Sequence, residues 1–217
     1  MDVEQARFNM VEQQIRPWEV LDPAVLDLLF TVRREEFVPS AYRALAFGDL
    51  EIPIGEGESM WAPRLEARAL QELAPKRGET VLEIGTGSGY LTACLAALAR
   101  DVVSLERHAD LADAARARLQ AQGIANVRIE TADAYVWDSD RQFDAICVGG
   151  AVEAIPARFL RWLRPGGRMF IVHGHAPAME AALVRPADGT AGFAIESLFE
   201  TELPYLAGGA PAPRFHL

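Results

Sequence analysis

The stretch "VLEIGTGSGYLTACLAALA", Val81 to Ala99, decides the fold. An apolar run ends in an acid, Glu83, then glycines occupy 85, 87 and 89, and an alanine-rich amphipathic segment follows. Glycine loses more conformational freedom on folding than any other residue, so three of them between a strand and a helix cost stability. They provide backbone that takes positive φ and lies directly against a ligand. In an open α/β sheet ligands bind beyond the carboxyl ends of the strands, and the first strand-to-helix turn is the usual contact.

From Glu79 the pattern is regular. "TVLEI" reads as a strand, "SGYLTACLAALA" as a helix, "DVVSLE" as a strand and "ADLADAARARLQAQ" as a helix ended by Gly123. "NVRIETAD" and "FDAICVGG" then read as strands, "IPARFLRWL" as a helix and "GGRMFIVHG" as a strand. In the second helix Leu111, Ala115 and Leu119 recur every four residues, an apolar stripe with Arg and Asp opposite. Strands dense in Val, Ile and Leu alternating with helices imply a parallel sheet covered on both faces. "EAALVRPADGTAGFAIESLFE" adds two strands around a turn at Asp188 and Gly189, an antiparallel pair that closes the sheet. The prediction is an α/β, doubly wound, mostly parallel seven-stranded sheet.

The first residues differ in character. Phe8, Val11 and Ile15 lie on one face of a helix that ends near Pro17. Asp22 and Pro23 start another, with Val25, Leu26, Leu29 and Phe30 as its buried side. Residues 1–217 are thus expected to form one domain, with 1–78 an N-terminal helical cap and lid segment and 79–217 the α/β core. "RREE", Arg33 to Glu36, reads as a solvated helix end, and "LAGGAPAPRFHL" as a loose or docked tail.

Two further acids stand at strand ends. Glu106 lies 21 residues after Gly85, where a carboxylate accepts hydrogen bonds from both hydroxyls of an adenosine ribose. Asp133, in "ETADAY", ends the following strand and meets the adenine edge. The dinucleotide fingerprint G-x-G-x-x-G is broken by Tyr90 at its last glycine, and Glu83 would repel a pyrophosphate but suits a cationic sulfonium or ammonium. These features favour S-adenosylmethionine over a nicotinamide dinucleotide.

Composition excludes other classes. A formal charge of -10 and a pI near 4.9 disfavour nucleic acid and anionic lipid as partners. No apolar run is long enough to span a bilayer, and "MDVEQARFNM" is polar where a signal peptide is basic and then apolar, so the expectation is a cytoplasmic protein. Cys94 and Cys147 read as small core residues. His173 and His175 lack a third ligand at a recognised spacing, and no metal is expected. Trp18, Trp137 and Trp162 read as packing at element ends, and Tyr90 as packing beneath the glycine loop.

Over nearly its whole length the sequence resembles the protein-L-isoaspartate O-methyltransferase family. "MVEQQIRPWEVLDPAVLDLLFTVRREEFVP" is similar to that family's N-terminal helical segment, "VLEIGTGSGYLTACLA" to its cofactor loop, "VVSLER" to its second strand, and "IPARFLRWLRPGGRMFIVHG" to its later half. The resemblance implies the methyltransferase fold, S-adenosylmethionine as donor and a carboxylate acceptor in a protein or peptide. Gly85, Thr86, Gly87, Ser88 and Gly89 are then implied to wrap the methionine end of the cofactor and Glu106 to hold the ribose. Glu83, Arg107, Asp133, Ala134 and Gly149 complete the expected cofactor set.

One segment departs from the family pattern P-I-G-x-G-Q-T-I-S-Q-P. This chain has "PIGEGESMWAP", Pro53 to Pro63, with Glu58 for the glutamine, Ser59 for the threonine and Trp61 for the serine that helps position the acceptor. Ser59 becomes the candidate catalytic residue. Trp61 either fills space an isoaspartyl peptide needs or offers a flat apolar wall to another acceptor. The tail "ETELPYLAGG" departs too. Three readings follow: an isoaspartyl-type carboxyl methyltransferase, a methyltransferase of the same fold with a small-molecule acceptor, and a non-catalytic module that binds the nucleoside. An ionised carboxylate acceptor needs no general base; for a phenol or amine, His173 or Glu58 would take the proton.

Overall fold

The computed structural model describes residues 2–187 and 192–212; the turn read at Asp188 and Gly189, and residues 213–217 of the tail, lie outside the described residues. The cap begins with α1 (Val3–Met10), whose N-cap Asp2 accepts from the N–H groups of Glu4 and Gln5. Beyond Met10 the helix widens into a π turn, Val11–Ile15, and tightens to a 3-10 turn, Arg16–Trp18. That change of period breaks the expected stripe. Val11 and Ile15 are buried, but Phe8 is 49% exposed, and Arg7 and Met10 take the inner face.

In α2 (Pro23–Thr31) Asp22 caps as expected, its carboxylate accepting from the Ala24 N–H at 2.8 Å. Val25, Leu26 and Leu29 are buried; Phe30, at the rim of the stripe, is 39% exposed, and Leu28 packs inward instead. The hairpin of β1 (Ile52–Gly55) and β2 (Glu58–Met60) turns through Glu56 and Gly57, both at positive φ as a tight hairpin turn requires. It leads into α3 (Pro63–Leu73).

The core follows as β3 (Thr80–Ile84), α4 (Tyr90–Leu98), β4 (Asp101–Glu106), α5 (Ala109–Ala121), β5 (Val127–Thr131), β6 (Phe143–Val152), α6 (Ala157–Arg161), β7 (Leu163–His175), β8 (Ala178–Pro186) and β9 (Phe193–Thr201). The seven strands from β3 to β9 lie in the order β5-β4-β3-β6-β7-β8-β9. The first five are parallel, and β8 and β9 run antiparallel at one edge, as expected. The helix read in "IPARFLRWL" is shorter than expected, because Leu163 already pairs with Phe143 across β6 and β7.

Alternation along the strands feeds two cores. Val81 joins the cluster under the cap, α3 and α4, whereas Leu82 and Ile84 join the opposite cluster with Phe159 and Trp162. Cys94 and Cys147 are buried and unpaired by disulfides. Trp137 and Trp162 pack edge to face at 4.9 Å, and Trp18 lies under the Arg64 guanidinium. The described part of the tail is docked: Leu206 donates to the Ala151 carbonyl at 2.8 Å and Ala151 to that of Pro204 at 2.9 Å.

The "RREE" segment corrects the sequence reading. Arg34 is only 1% exposed, and Glu35 is buried as well. Arg34 pairs with Glu66 of α3, donates to the carbonyls of Ala46 at 2.9 Å and Trp61 at 2.7 Å, and stacks over the Tyr90 ring at 4.9 Å. Four separate segments thus meet on one guanidinium, whose fixed fork of donors makes arginine fit such a junction. Burial pushes the Glu66 carboxyl up to about 7 against the pull of Arg34. Glu35 pairs with buried Arg7 at 2.6 Å, tying α1 to the same region. Neither acid nor base at these positions announces burial in the sequence, because charged runs bury only when a partner arrives from elsewhere in the chain.

A second buried acid sits in the central strand. Glu83 Oε2 accepts from Thr92 Oγ1 and Ser104 Oγ, each at 2.5 Å, and Oε1 has no partner. Burial raises its carboxyl to about 8, opposed by the two hydroxyls and reinforced by the charges of Glu106 and Glu66.

Two outcomes follow from these buried groups. Arg34→Met strands Glu66 without its partner and lowers unfolding stability by about 3 kcal/mol, while adding Glu66→Leu recovers much of the loss; denaturant titrations of the single and double variants check this, and a single variant as stable as the parent contradicts it. Glu83 holds a proton in the folded chain that the unfolded chain lacks, so its contribution is fully present below pH 4.5 and is lost as pH rises through about 8. Across that window the parent loses thermal stability relative to Glu83→Gln, and a difference independent of pH counts against the assignment.

Candidate active site

The sheet order reverses between β3 and β6: the chain first builds outward through β4 and β5, then returns to the other side of β3. A crevice opens beyond the strand ends at such a reversal. Its floor is backbone. Gly85, Gly87 and Gly89 all take positive φ, at 96°, 53° and 87°. Across from them, a Cβ on Gly149 would stand 2.6 Å from the Ile84 carbonyl oxygen and 3.0 Å from that of Gly85, so no side chain fits there.

The loop is fixed from behind. Gly85 and Thr86 donate through their N–H groups to the Leu105 carbonyl at 2.8 and 3.2 Å, and the Thr86 and Ser104 hydroxyls meet at 2.5 Å. Glu106 fixes it from the front, Oε2 accepting from the Gly87 N–H at 2.8 Å and Oε1 from the His108 N–H at 3.0 Å. Each oxygen keeps a free lone pair, so this carboxylate is already oriented for a pair of hydroxyls. Asp133 is set similarly, Oδ1 accepting from the Tyr135 N–H at 2.8 Å.

Gly85, Gly87, Glu106, Arg107, Asp133, Ala134 and Gly149 line one cleft. Ser59 and Trp61 roof it from the hairpin side. Thr86 and Ser88 border an adjoining hollow that shares Trp61 and Gly149 with the cleft. Two expected contacts do not reach it. Glu83 is turned behind the loop onto Thr92 and Ser104 and lines neither space, and Gly89 caps α4 against Ala115. The acid at the strand end is spent holding the loop to its own sheet.

The sequence reading missed Glu51, Tyr135 and the segment from Pro204 to Ala207, which also line the cleft. Tyr205 joins through a parallel bridge to Ala151 and a hydroxyl donated to the Gly174 carbonyl at 3.0 Å. No local signal marks it, since only the docking of the tail brings it there. Trp61 is held on both sides, its carbonyl by Arg34 and its indole against Phe170 with ring centres 6.4 Å apart. The hairpin also meets His108, whose ring nitrogens lie 3.5 Å from Glu56 and 3.6 Å from Glu58. His173 and His175 face Glu180 and Glu153 separately, and among the described residues no group of three or more His, Cys, Asp and Glu is placed to hold a metal.

Comparison with known proteins agrees with this architecture. The family model described as Protein-L-isoaspartate(D-aspartate) O-methyltransferase matches residues 5–186. A protein-L-isoaspartate O-methyltransferase of Methylorubrum populi is 42% identical over 170 residues, 78% of this chain and 80% of its own length. One of Magnetococcus marinus is 43% identical over 172 residues, 79% of this chain and 75% of its own. Among solved structures, a Plasmodium falciparum beta-aspartate methyltransferase in complex with S-adenosyl-L-homocysteine superposes with a TM-score of 0.80 at 21% identity, covering 95% of this chain and 99% of that one. The strand order, the glycine loop and the match over most of its length together place this chain in the protein-L-isoaspartate (D-aspartate) O-methyltransferase family.

Proposed function

We propose that the cleft binds S-adenosylmethionine and that the chain methylates a carboxylate of isoaspartyl residues in peptides or proteins. The observation that carries this reading is the convergence of the Gly85–Gly87 backbone, Glu106 and Asp133 beneath a roof holding Ser59 and Trp61. When bound, S-adenosylmethionine supplies an electrophilic methyl group on a sulfonium.

The residues of the chain bind, orient and exclude water. Glu106 receives the ribose hydroxyls on the lone pairs that Gly87 and His108 leave open. Asp133 and the backbone at Ala134 meet the base, and Arg107 borders that end. Gly85, Thr86, Gly87 and Ser88 give the methionine end a wall of backbone and small side chains, with Gly149 admitting it closely. Ser59, which lines both spaces, positions the acceptor. An acceptor carboxylate is ionised at neutral pH and needs no proton removed, so alignment in a closed cleft is the main task.

A second reading keeps the donor and takes a small-molecule acceptor. It is favoured by Trp61, a buried residue on the cleft wall at the position where the family pattern has serine.

Incubation with methyl-labelled S-adenosylmethionine and an isoaspartyl peptide yields a base-labile methyl ester on that peptide and none on its aspartyl counterpart; no ester above background, with turnover of small carboxylic acids or phenols, selects the second reading. Glu106→Gln trades charged hydrogen bonds for neutral ones and weakens cofactor binding about tenfold, read by titration calorimetry. An unchanged dissociation constant removes Glu106 from the site.

A further inference from the structure

We propose that His108 is a positioning residue for the roof: charged, it clasps the tip of the β1–β2 hairpin through Glu56 and Glu58 and closes the hairpin over the bound cofactor, and uncharged, it releases the tip. The hold on the cofactor rests on the reading given under Proposed function. The clasp itself is a property of the chain without any ligand.

The ring geometry asks for two protons. His108 Nδ1 lies 3.5 Å from Glu56 Oε2, and Nε2 lies 3.6 Å from Glu58 Oε1. Among the described residues neither carboxylate has another ion-pair partner. A neutral imidazole carries one N–H and turns a lone pair toward the other acid, whereas an imidazolium offers a donor to each. The other charged groups around the ring are Glu106, whose Oε1 accepts the His108 N–H, and the chain neighbours Arg107 and Asp110. Acids thus approach the ring from the turn, from β2 and from the end of β4.

The turn supplies a second, independent observation. Gly55, Glu56 and Gly57 all take positive φ, at 103°, 54° and 79°. Glycine adopts that region freely, and a residue with a side chain does so rarely. Local conformation therefore gives glutamate no advantage at position 56, but its carboxylate is what reaches His108. An outlier held against local preference points to a partner elsewhere in the fold. Behind the tip, Ile54 rests on the glycine loop, its Cδ1 3.2 Å from where a Cβ on Gly87 would lie. Moving the tip thus moves the hairpin across the cleft that Ile54, Glu58 and Ser59 line.

His108 is also tied to the cofactor side. Its backbone N–H and that of Gly87 orient the two oxygens of Glu106, at 3.0 and 2.8 Å, so one residue fixes the ribose carboxylate with its main chain and the roof with its ring. The Glu56 and Glu58 side chains are 48% and 46% exposed, so each pair is screened and weak alone. The hairpin they hold has strands of four and three residues and is marginal by itself, so a small bias decides its position. Two such pairs together shift an open–closed equilibrium by about fivefold.

The test follows amide hydrogen exchange of residues 52–60 in the full chain without ligand, corrected for the intrinsic effect of pH on exchange. Imidazole changes charge between about pH 5 and 8, so the hairpin is protected about fivefold more at the lower end of that window than at the upper. Glu66 and Glu83 also titrate within it, at about 7 and about 8, so the quantity read is the difference between the parent and His108→Gln. His108→Gln removes the hairpin's share of the pH dependence, and His108→Lys, with a fixed charge, keeps the protection at both ends. Both variants retain the backbone N–H that orients Glu106, and circular dichroism verifies that they are folded. Equal pH dependence in the parent and His108→Gln, or none in the parent, overturns the proposal. Stopped-flow tryptophan fluorescence then reads dissociation of S-adenosylhomocysteine, slower by about fivefold at low pH in the parent and not in His108→Gln. Protection that follows the charge of residue 108 without any S-adenosylhomocysteine binding upholds the clasp and overturns the cofactor reading. Binding accompanied by protection indifferent to residue 108 overturns the clasp and leaves the cofactor reading standing.

Discussion

The close approach of two strand ends governs this protein. Gly149 of β6 lies against the Ile84 and Gly85 carbonyl oxygens so tightly that a methyl group would collide with them. That contact lets the crevice floor be made of main chain, and it fixes where β3 must break into its left-handed glycine turn. The Gly87 N–H then points at Glu106, and one carboxylate becomes both a clamp for the loop and a ready acceptor at the mouth of the cleft. Site geometry and sheet topology are therefore consequences of the same backbone packing.

The roof depends on a different kind of interaction. The hairpin of β1 and β2 is too short to be stable alone in water, so its position comes from what grips it. Arg34 grips the chain just after the hairpin through the Trp61 carbonyl, while Glu66 and Tyr90 hold Arg34 from α3 and α4. His108 meets the hairpin tip from the other side, and its own N–H orients Glu106. The part of the molecule that faces the acceptor is thus supported by the part that faces the cofactor. A buried ion pair adds little stability compared with apolar packing, and in the Arg34–Glu66 pair the two partners come from segments 32 residues apart in the chain.

Charge is distributed unevenly between these layers. Acids at the strand ends suit a cationic donor, and Glu83, expected to join them, instead sits uncharged near neutral pH behind the loop. Glu51 and Glu58 extend the negative lining onto the roof, where the family pattern has glutamine in place of Glu58 and serine in place of Trp61.

The sequence alone determined the sheet, the glycine turn and the acids at two strand ends, because these are written in local periodicity and in conformations that only glycine adopts readily. β3 and β4 fall where the apolar runs put them, and Gly85, Gly87, Glu106 and Asp133 meet in one cleft because strand ends in a parallel sheet must face the same way. Tertiary structure decided everything that depends on a distant partner. Arg34 reads as a solvated charge until Glu66 and two carbonyls enclose it, Phe8 and Phe30 read as core until the helix period shifts or the stripe narrows, and Tyr205 has no meaning until the tail docks against Ala151. Local sequence encodes backbone conformation, but burial of a charge or the wall of a pocket is a property of pairs far apart in the chain.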